Sequence, residues 1–274
     1  MKKFNIANTL KSLDEDGIAI VENLLSQNEC NYFKKKVINI LNDRKKNNLY
    51  VGNNLYQVIE NFFAFDKTLF DLIFFDVVDQ VLNNVIDTDY VLISSCARNS
   101  FIDKGVTTMS KTSGVGWHTD TRYVNKKKIS PSMIYGTILN LEDWTLDGGV
   151  TEYIPKSHKK NYKPKRDFHY NNAKKLVIKS GSLVFFDSAL WHKAGTATNV
   201  SRWAIFSIYG PWFMKPYFQF NKLVKKNEIK DLHPKISQLL HFESTPPTHH
   251  NERNLATLKR IRKKLKIDSI ENKK

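Results

Sequence analysis

The spacing of short apolar segments between residues 90 and 209 places the strongest limit on the fold of this chain. Six strand-like segments occur there with no helix-length segment between them: 90–98, 132–141, 150–154, 176–178, 183–186 and 202–209. Polar loops separate these segments, and Asp147-Gly148-Gly149 supplies a turn with two conformationally permissive residues. Short strands in close succession are typical of an antiparallel barrel or jelly roll. We therefore predict a mainly β fold.

Helices are predicted before and after this β region in the sequence. Ser26 and Glu29 form a capping box that indicates the start of one helix, and a second helix is predicted over residues 66–84. We expect these two helices to brace the sheet from outside. The chain is accordingly divided into residues 1–220, a β domain with N-terminal bracing helices, and residues 221–274, a basic helical extension.

Two side chains of metal-binding type lie close together near the middle of the chain. His118 and Asp120 occur in Gly116-Trp117-His118-Thr119-Asp120, at the predicted end of a strand, where residues i and i+2 point to the same face. His192 follows an apolar strand and is the best candidate for a third ligand. Two histidines and one carboxylate form the facial triad of non-haem Fe(II) oxygenases. Because an isolated His-x-Asp is a weak motif, surface or packing roles remain the alternative.

Arg202 stands ten residues after His192, at the start of the next predicted strand. On an antiparallel pair joined by a short loop, it can lie beside His192 inside the barrel. A buried guanidinium needs an anion, and its planar fork suits a carboxylate. A cosubstrate that carries a carboxylate would meet this need. The alternative is an ion pair with Asp187 or with a surface acid.

The order and spacing of several motifs resemble the phytanoyl-CoA dioxygenase-like (PhyH-type) group of Fe(II)/2-oxoglutarate-dependent oxygenases. The resemblance covers roughly residues 16–216. It is carried by residues 16–26, Trp117-His118-Thr119-Asp120, Gly148-Gly149, 154–159, 181–187, His192, Arg202 and 209–212. Together these motifs are far more specific than His-x-Asp alone.

The resemblance implies a double-stranded β-helix, a cupin-like jelly roll, that holds Fe(II) through His118, Asp120 and His192. It also implies 2-oxoglutarate and O2 as cosubstrates, with Arg202 binding the distal carboxylate of 2-oxoglutarate. Thr137 lies on a strand that often contributes a hydrogen bond to the cosubstrate in this family. The implied reaction is oxidation, most readily hydroxylation, of an unactivated C–H bond of a small metabolite, with release of succinate and CO2. Because related halogenases carry a small residue in place of the carboxylate, Asp120 favours this oxidation over halogenation.

The charge of the chain leaves the choice of partner open. The formal net charge is +16, and the basic segment 252–266 could bind nucleic acid or another polyanion. A solvated lysine-rich surface explains the same charge, and the apolar stripe of that segment would equally dock on the barrel or on a second subunit as a homo-oligomer. We therefore expect a small-molecule partner rather than nucleic acid. Arg98 and Arg122, at the rim of the predicted site, favour an anionic or zwitterionic substrate, although a solvated rim is the alternative.

Other features indicate a cytoplasmic protein. No apolar run reaches the ~18–20 residues that span a bilayer, and the first residues lack the apolar region of a secretory signal. Cys30 and Cys96 form neither a disulfide framework nor a metal-type spacing. A jelly-roll binding protein without catalysis is the alternative to an enzyme, and it is disfavoured because the three candidate ligands and Arg202 are all present.

Overall fold

The computed structural model describes residues 4–50, 56–86, 89–100, 116–121, 123–124, 127–128, 132–196 and 198–243. Arg122 and the predicted helix at 252–266 lie outside these residues, so their predicted roles are not assessed. Within the described ranges, no helix is both long enough and apolar enough to cross a membrane.

The chain is mainly antiparallel β structure, as the strand spacing predicted. The strands are β1 (Ile18–Val21), β2 (Gln57–Glu60), β3 (Tyr90–Asn99), β4 (Tyr123–Val124), β5 (Lys127–Lys128), β6 (Tyr135–Asn140), β7 (Glu152–Tyr153), β8 (Lys174–Lys175), β9 (Leu183–Asp187), β10 (His192–Lys193) and β11 (Ala204–Pro211). Six of them form one large sheet in the order β1-β9-β6-β11-β3-β2. A small sheet has the order β10-β7-β8, and β4 pairs with β5.

Helices flank the large sheet. They are α1 (Ile6–Asp16), α2 (Gln27–Lys46), α3 (Asp76–Val85), α4 (Phe220–Leu223) and α5 (Pro234–Leu239). The predicted capping box begins α2: the Ser26 hydroxyl accepts from the Glu29 amide, and the Glu29 carboxylate accepts from the Ser26 amide. Helix α1 ends at Gly17, whose φ of 80° belongs to the left-handed region that glycine adopts at low cost.

The second predicted helix is not continuous. A 3-10 helix covers Lys67–Leu72, and α3 begins only at Asp76. Phe75 is extended at the break, which lets the chain turn between the two helices. Ile73 before the break and Val78 after it are both buried in the same core. The prediction of one helix over 66–84 was therefore wrong, because apolar residues at helical spacing do not reveal a change of direction.

The two faces of the large sheet have different partners. Leu139, Phe185 and Ile205 face the helices, and pack in one core with Phe33 and Val37 of α2. The intervening residues face the opposite way, toward the small sheet. The apolar cluster on that side contains Ile138, Val184, Phe186, Leu176 and Ile178. The helices thus brace the sheet from outside, as expected, and the inner face is left to line a cavity.

The chain after residue 220 continues this core as far as it is described. Phe220, Val224, Ile236 and Leu239 are buried in the cluster on the helical face. The Gln238 side-chain amide donates to the Tyr90 carbonyl at 2.9 Å, which ties α5 to β3. The division of the chain at residue 220 stays a prediction, since residues 244–274 lie outside the described ranges.

Candidate active site

Three candidate metal ligands converge at one end of the inner cavity. The ligand atoms of His118, Asp120 and His192 all lie within 4.8 Å of one another. Each histidine Nε2 is 3.8 Å from a different carboxylate oxygen of Asp120. These distances are too long for hydrogen bonds. The three donors therefore surround a common point instead of satisfying one another, as the facial triad predicted from the sequence requires.

Backbone pairing places the three side chains. His118 and His192 form an isolated antiparallel bridge, in which the His118 amide donates to the His192 carbonyl and the His192 amide donates to the His118 carbonyl. The Asp120 amide donates to the Ser188 carbonyl at 2.9 Å, which fixes the backbone of the same segment two residues after His118. Residues opposite each other on such a bridge present their side chains on one face. The bridge therefore brings together two ligands that are distant in sequence.

The histidine rings are held with Nε2 toward the common point. Nδ1 of His118 lies 2.8 Å from the Gly116 carbonyl oxygen, and Nδ1 of His192 lies 2.9 Å from that of Leu190. Because a carbonyl only accepts, Nδ1 must carry the proton, which leaves a lone pair on Nε2. Burial lowers the pKa of His118, and the nearby His192 lowers it further. Neutral, oriented imidazoles are the form that binds a metal ion.

The triad opens into a cavity of about 210 Å³ with mostly apolar walls. The described lining residues are Ile18, Cys96, Arg98, Ser100, His118, Asp120, Ile138, Thr151, Tyr153, Leu176, Val184, Phe186, Leu190, His192, Ala194, Arg202, Phe206 and Ile208. Asp120 is the only acid among them. Two arginines therefore share the cavity with one carboxylate, and that carboxylate belongs to the metal-binding set.

Arg202 is the most buried charge in the cavity. Only 3% of its surface is exposed, and its Nε has no hydrogen-bond partner within the described part of the chain. The guanidinium carbon lies 4.9 Å from the centroid of the Trp144 ring. Burial lowers the pKa of Arg202 to about 10, with a further contribution from Arg98, so the side chain stays cationic at neutral pH. A buried cation in this condition is a binding site for an anion.

The alternative partner of Arg202 is engaged elsewhere. Asp187 accepts from the Ser132 hydroxyl at 2.9 Å and from the Ala189 amide at 2.7 Å, and it does not line the cavity. The arginine is held instead through its backbone, because its amide donates to the Asn99 side chain at 2.9 Å. The geometry therefore fits an external carboxylate better than an internal ion pair.

Thr137 does not reach the cavity. It lies directly opposite Ser207 of β11 and Phe185 of β9, and Phe185 faces the helical core. Its neighbour Ile138 lines the cavity. Since successive strand residues point to opposite faces, the predicted contact of Thr137 with the cosubstrate is out of phase by one residue. The structure does not bring this residue to the site.

The inward face also includes residues that the sequence reasoning missed. Phe206 and Ile208 line the cavity with Arg202, and Tyr153 joins them from β7. Alternate residues of a strand point to the same face, so an inward Arg202 predicts that Phe206 and Ile208 also point inward. Tyr153 comes from a two-residue strand, for which alternation gives little guidance.

Known proteins resemble this chain in sequence over part of its length. The family model described as Phytanoyl-CoA dioxygenase (PhyH) matches residues 13–204, well over half of the chain. An uncharacterised protein of Mycobacterium tuberculosis, Rv1501, and one of Mycobacterium bovis, Mb1539, are each 30% identical over 113 residues. That segment is 41% of this chain and 41% of each relative, so the match spans about two fifths of the relatives' length.

Solved structures share the fold at low sequence identity. HygX from Streptomyces hygroscopicus, with nickel and 2-oxoglutarate bound, superposes with a TM-score of 0.61 and 15% identity, covering 78% of this chain and 90% of that chain. The non-heme alpha ketoglutarate dependent epimerase SnoN superposes with a TM-score of 0.58 and 12% identity, covering 77% and 85%. These likenesses confirm the predicted cupin-like jelly roll. The chain belongs to the phytanoyl-CoA dioxygenase (PhyH) family, whose cofactors are Fe(II), 2-oxoglutarate and O2, as predicted.

Proposed function

We propose that this protein is an Fe(II)- and 2-oxoglutarate-dependent oxygenase that hydroxylates an unactivated C–H bond of a small molecule. The reaction would consume one 2-oxoglutarate and one O2, and would release succinate and CO2 as the C–H bond becomes C–OH. One observation carries the proposal. Three metal-binding side chains, with ligand atoms within 4.8 Å, share a cavity with an arginine that lacks an internal counter-ion among the described residues.

The triad would hold the iron, and its donors suit that ion. Two neutral imidazoles and one carboxylate would leave one side of the metal open. The reaction requires this open side for its two cosubstrates, 2-oxoglutarate and O2. Iron bound there supplies the oxidising chemistry for C–H cleavage. The carbonyls of Gly116 and Leu190 fix the two rings through Nδ1–H. These hydrogen bonds would keep both Nε2 atoms directed at a bound ion.

Arg202 would bind the distal carboxylate of 2-oxoglutarate. Its guanidinium is buried and cationic at neutral pH, and it lies in the same cavity as the triad. Trp144 packs 4.9 Å from the guanidinium carbon and limits the positions that the side chain can adopt. A charged hydrogen-bonded pair with a carboxylate would remove the cost of the unpaired cation. The apolar walls would exclude water from the reacting groups.

The outcome of the reaction depends on which bond lies next to the metal. One structural neighbour, SnoN, is an epimerase, and HygX was crystallised with hygromycin B, so this fold accommodates different outcomes and substrates. Hydroxylation is proposed for this chain because it needs no group beyond the triad and the two cosubstrates. The intact Asp120 supports oxidation over halogenation.

A binding protein without catalysis is supported less well. Binding without catalysis does not require two imidazoles that are oriented by backbone carbonyls and point their Nε2 atoms toward one carboxylate. It would also keep a buried arginine without a counter-ion, which destabilises a fold unless a ligand compensates. The nucleic-acid alternative rests on residues 252–266, outside the described part of the chain.

The proposal is tested by titrating 2-oxoglutarate into the Fe(II)-loaded protein without O2. We expect a metal-to-ligand charge-transfer band in the wild type, its loss in His192→Ala, and a weakened affinity in Arg202→Gln. His169→Ala, which removes an exposed imidazole outside the candidate ligand set, is the matched control and should behave as wild type. Admitting O2 should then convert 2-oxoglutarate to succinate. A wild-type protein without the band would rule out the enzyme.

A further inference from the structure

The cavity contains a second cation, Arg98, to which the proposed reaction has so far assigned no role. Arg98 lies on β3 directly opposite Ala204 of β11, and it lines the same cavity as Arg202. Burial lowers the pKa of Arg202 and of His118, and the positive charge of Arg98 contributes to both shifts. Arg98 is therefore near both the predicted cosubstrate anchor and the predicted metal ligands.

The guanidinium of Arg98 has no ion pair within the described residues. Its Nε is buried and has no hydrogen-bond partner there. The face of the Tyr56 ring lies 4.9 Å from its central carbon, which holds the side chain but does not neutralise it. Glu60 is an acid whose pKa responds to the charge of Arg98. Burial raises the pKa of Glu60 and Arg98 opposes that shift, yet Glu60 neither forms an ion pair with Arg98 nor lines the cavity.

The charges of the loaded site leave Arg98 uncompensated. Asp120 neutralises one charge of Fe(II), and one carboxylate of 2-oxoglutarate neutralises the other. The second carboxylate of 2-oxoglutarate neutralises Arg202. The two imidazoles are neutral, and Asp120 is the only acid among the described lining residues. One positive charge therefore remains, and an anion brought by the substrate would offset it.

We propose that Arg98 binds a carboxylate of the primary substrate, an inference that rests on the proposed function. The planar guanidinium matches a carboxylate or a phosphate through two parallel hydrogen bonds. The single remaining charge selects the carboxylate, because a phosphate monoester carries about −1.5 to −2 at neutral pH. The surrounding walls, such as Ile18, Val184 and Phe206, are apolar. The substrate is thus a small carboxylic acid with an apolar body.

The test compares acids with their esters. The probes are the straight-chain monocarboxylates from butyrate to decanoate, phenylacetate, the methyl ester of each acid, and phenyl phosphate. Their binding is measured by calorimetry to protein loaded with Mn(II) and 2-oxoglutarate, and thus without turnover. The variants are Arg98→Gln, Arg98→Lys and Arg202→Gln. Lys174→Gln, which removes a positive charge from the exposed strand β8, controls for net charge.

We expect at least one acid to bind the wild type and Lys174→Gln more tightly than its ester does. Arg98→Gln should weaken the binding of that acid about 10- to 100-fold and leave the ester unaffected, and Arg98→Lys should restore part of the loss. In the separate charge-transfer titration, 2-oxoglutarate affinity should fall in Arg202→Gln and stay close to wild type in Arg98→Gln. The Glu60→Gln variant should bind that acid as tightly as the wild type does.

Four results would overturn the inference. In the first, no acid binds better than its ester, and in the second, phenyl phosphate binds more tightly than phenylacetate. In the third, the Arg98→Gln variant binds the acids as tightly as the wild type does. In the fourth, the Arg98→Gln variant loses affinity for 2-oxoglutarate as the Arg202→Gln variant does. The last result would make Arg98 a cosubstrate ligand. Absence of the charge-transfer band in the wild type is a different failure, since it removes the proposed function itself.

Discussion

His118 and His192 are joined by a reciprocal pair of backbone hydrogen bonds, 3.0 and 3.1 Å long, and their ring centroids lie 4.3 Å apart. The pairing extends no further on the His118 side, whereas His192 belongs to β10 and also pairs with Tyr153 of β7. The two ligands are thus aligned by the smallest unit of antiparallel structure. The small sheet therefore positions His192, and the single bridge aligns His118 with it.

Asp120→Ala should remove most of the metal affinity and spare the fold. The carboxylate is the only acid in the candidate ligand set, and each of its two oxygens lies 3.8 Å from the Nε2 atom of one imidazole. Because loss of an outer contact alone lowers metal affinity about 10- to 100-fold, loss of a direct ligand should cost at least that much. Calorimetric titration with Mn(II) measures the affinity. Thermal unfolding of the metal-free variant should match that of metal-free wild type, and a large drop there would show that Asp120 is structural.

Thr137→Val should leave 2-oxoglutarate binding unchanged. Thr137 faces the helical core, and its neighbour Ile138 lines the cavity. The anaerobic charge-transfer titration measures the dissociation constant, with Arg202→Gln as the variant that must weaken it. If Thr137→Val weakens 2-oxoglutarate as strongly as Arg202→Gln does, β6 has the opposite orientation.

The two glycines of the turn before β7 should differ in their tolerance of alanine. Gly149 has a φ of 64°, and a Cβ there would overlap the Thr196 carbonyl oxygen, whereas a Cβ on Gly148 would meet nothing closer than 3.5 Å. A left-handed alanine alone costs roughly 1–2 kcal/mol, and the overlap adds to it. Urea unfolding should show Gly149→Ala destabilised by more than about 2 kcal/mol and Gly148→Ala by less than about 1 kcal/mol. Equal losses would contradict the conformation of this turn.

His241 should make the fold less stable in acid. Burial lowers its pKa below the usual value near 6.5, although a hydrogen bond to the Leu92 carbonyl oxygen opposes the shift. The unfolded chain therefore takes up a proton more readily than the folded one. The stabilisation is complete above about pH 6.5 and is lost as the pH falls through the lower folded-state value.

His241→Asn isolates this contribution. Residue 241 has a φ of 64°, a conformation that asparagine tolerates better than most residues. The free energy of unfolding, measured by urea at pH 7.5 and at pH 5.5, should fall less on acidification in the variant than in the wild type. An identical fall in both proteins would show that His241 does not contribute.

The sequence was sufficient for features that depend on local chemistry. The capping box at Ser26 and the convergence of His118 with His192 both follow from residue type and spacing. Features that depend on which face is buried were not accessible. Ile138 and Leu139 are adjacent, and both are buried, on opposite faces of β6. When both faces of a strand are buried, apolar periodicity does not fix its phase. The residues alone therefore gave no check on the cosubstrate contact of Thr137, which only the family resemblance implied.

The bridge between His118 and His192 also bears on how the protein responds to iron supply. The two residues are more than seventy positions apart, so an ion held by both closes a long loop of the chain. An ion that binds only the folded state, where the two ends of this loop meet, stabilises that state in proportion to the logarithm of the ion concentration. The lifetime of this protein in the cell should therefore follow the available iron. An iron-starved cell would lose the protein to proteolysis as well as its activity.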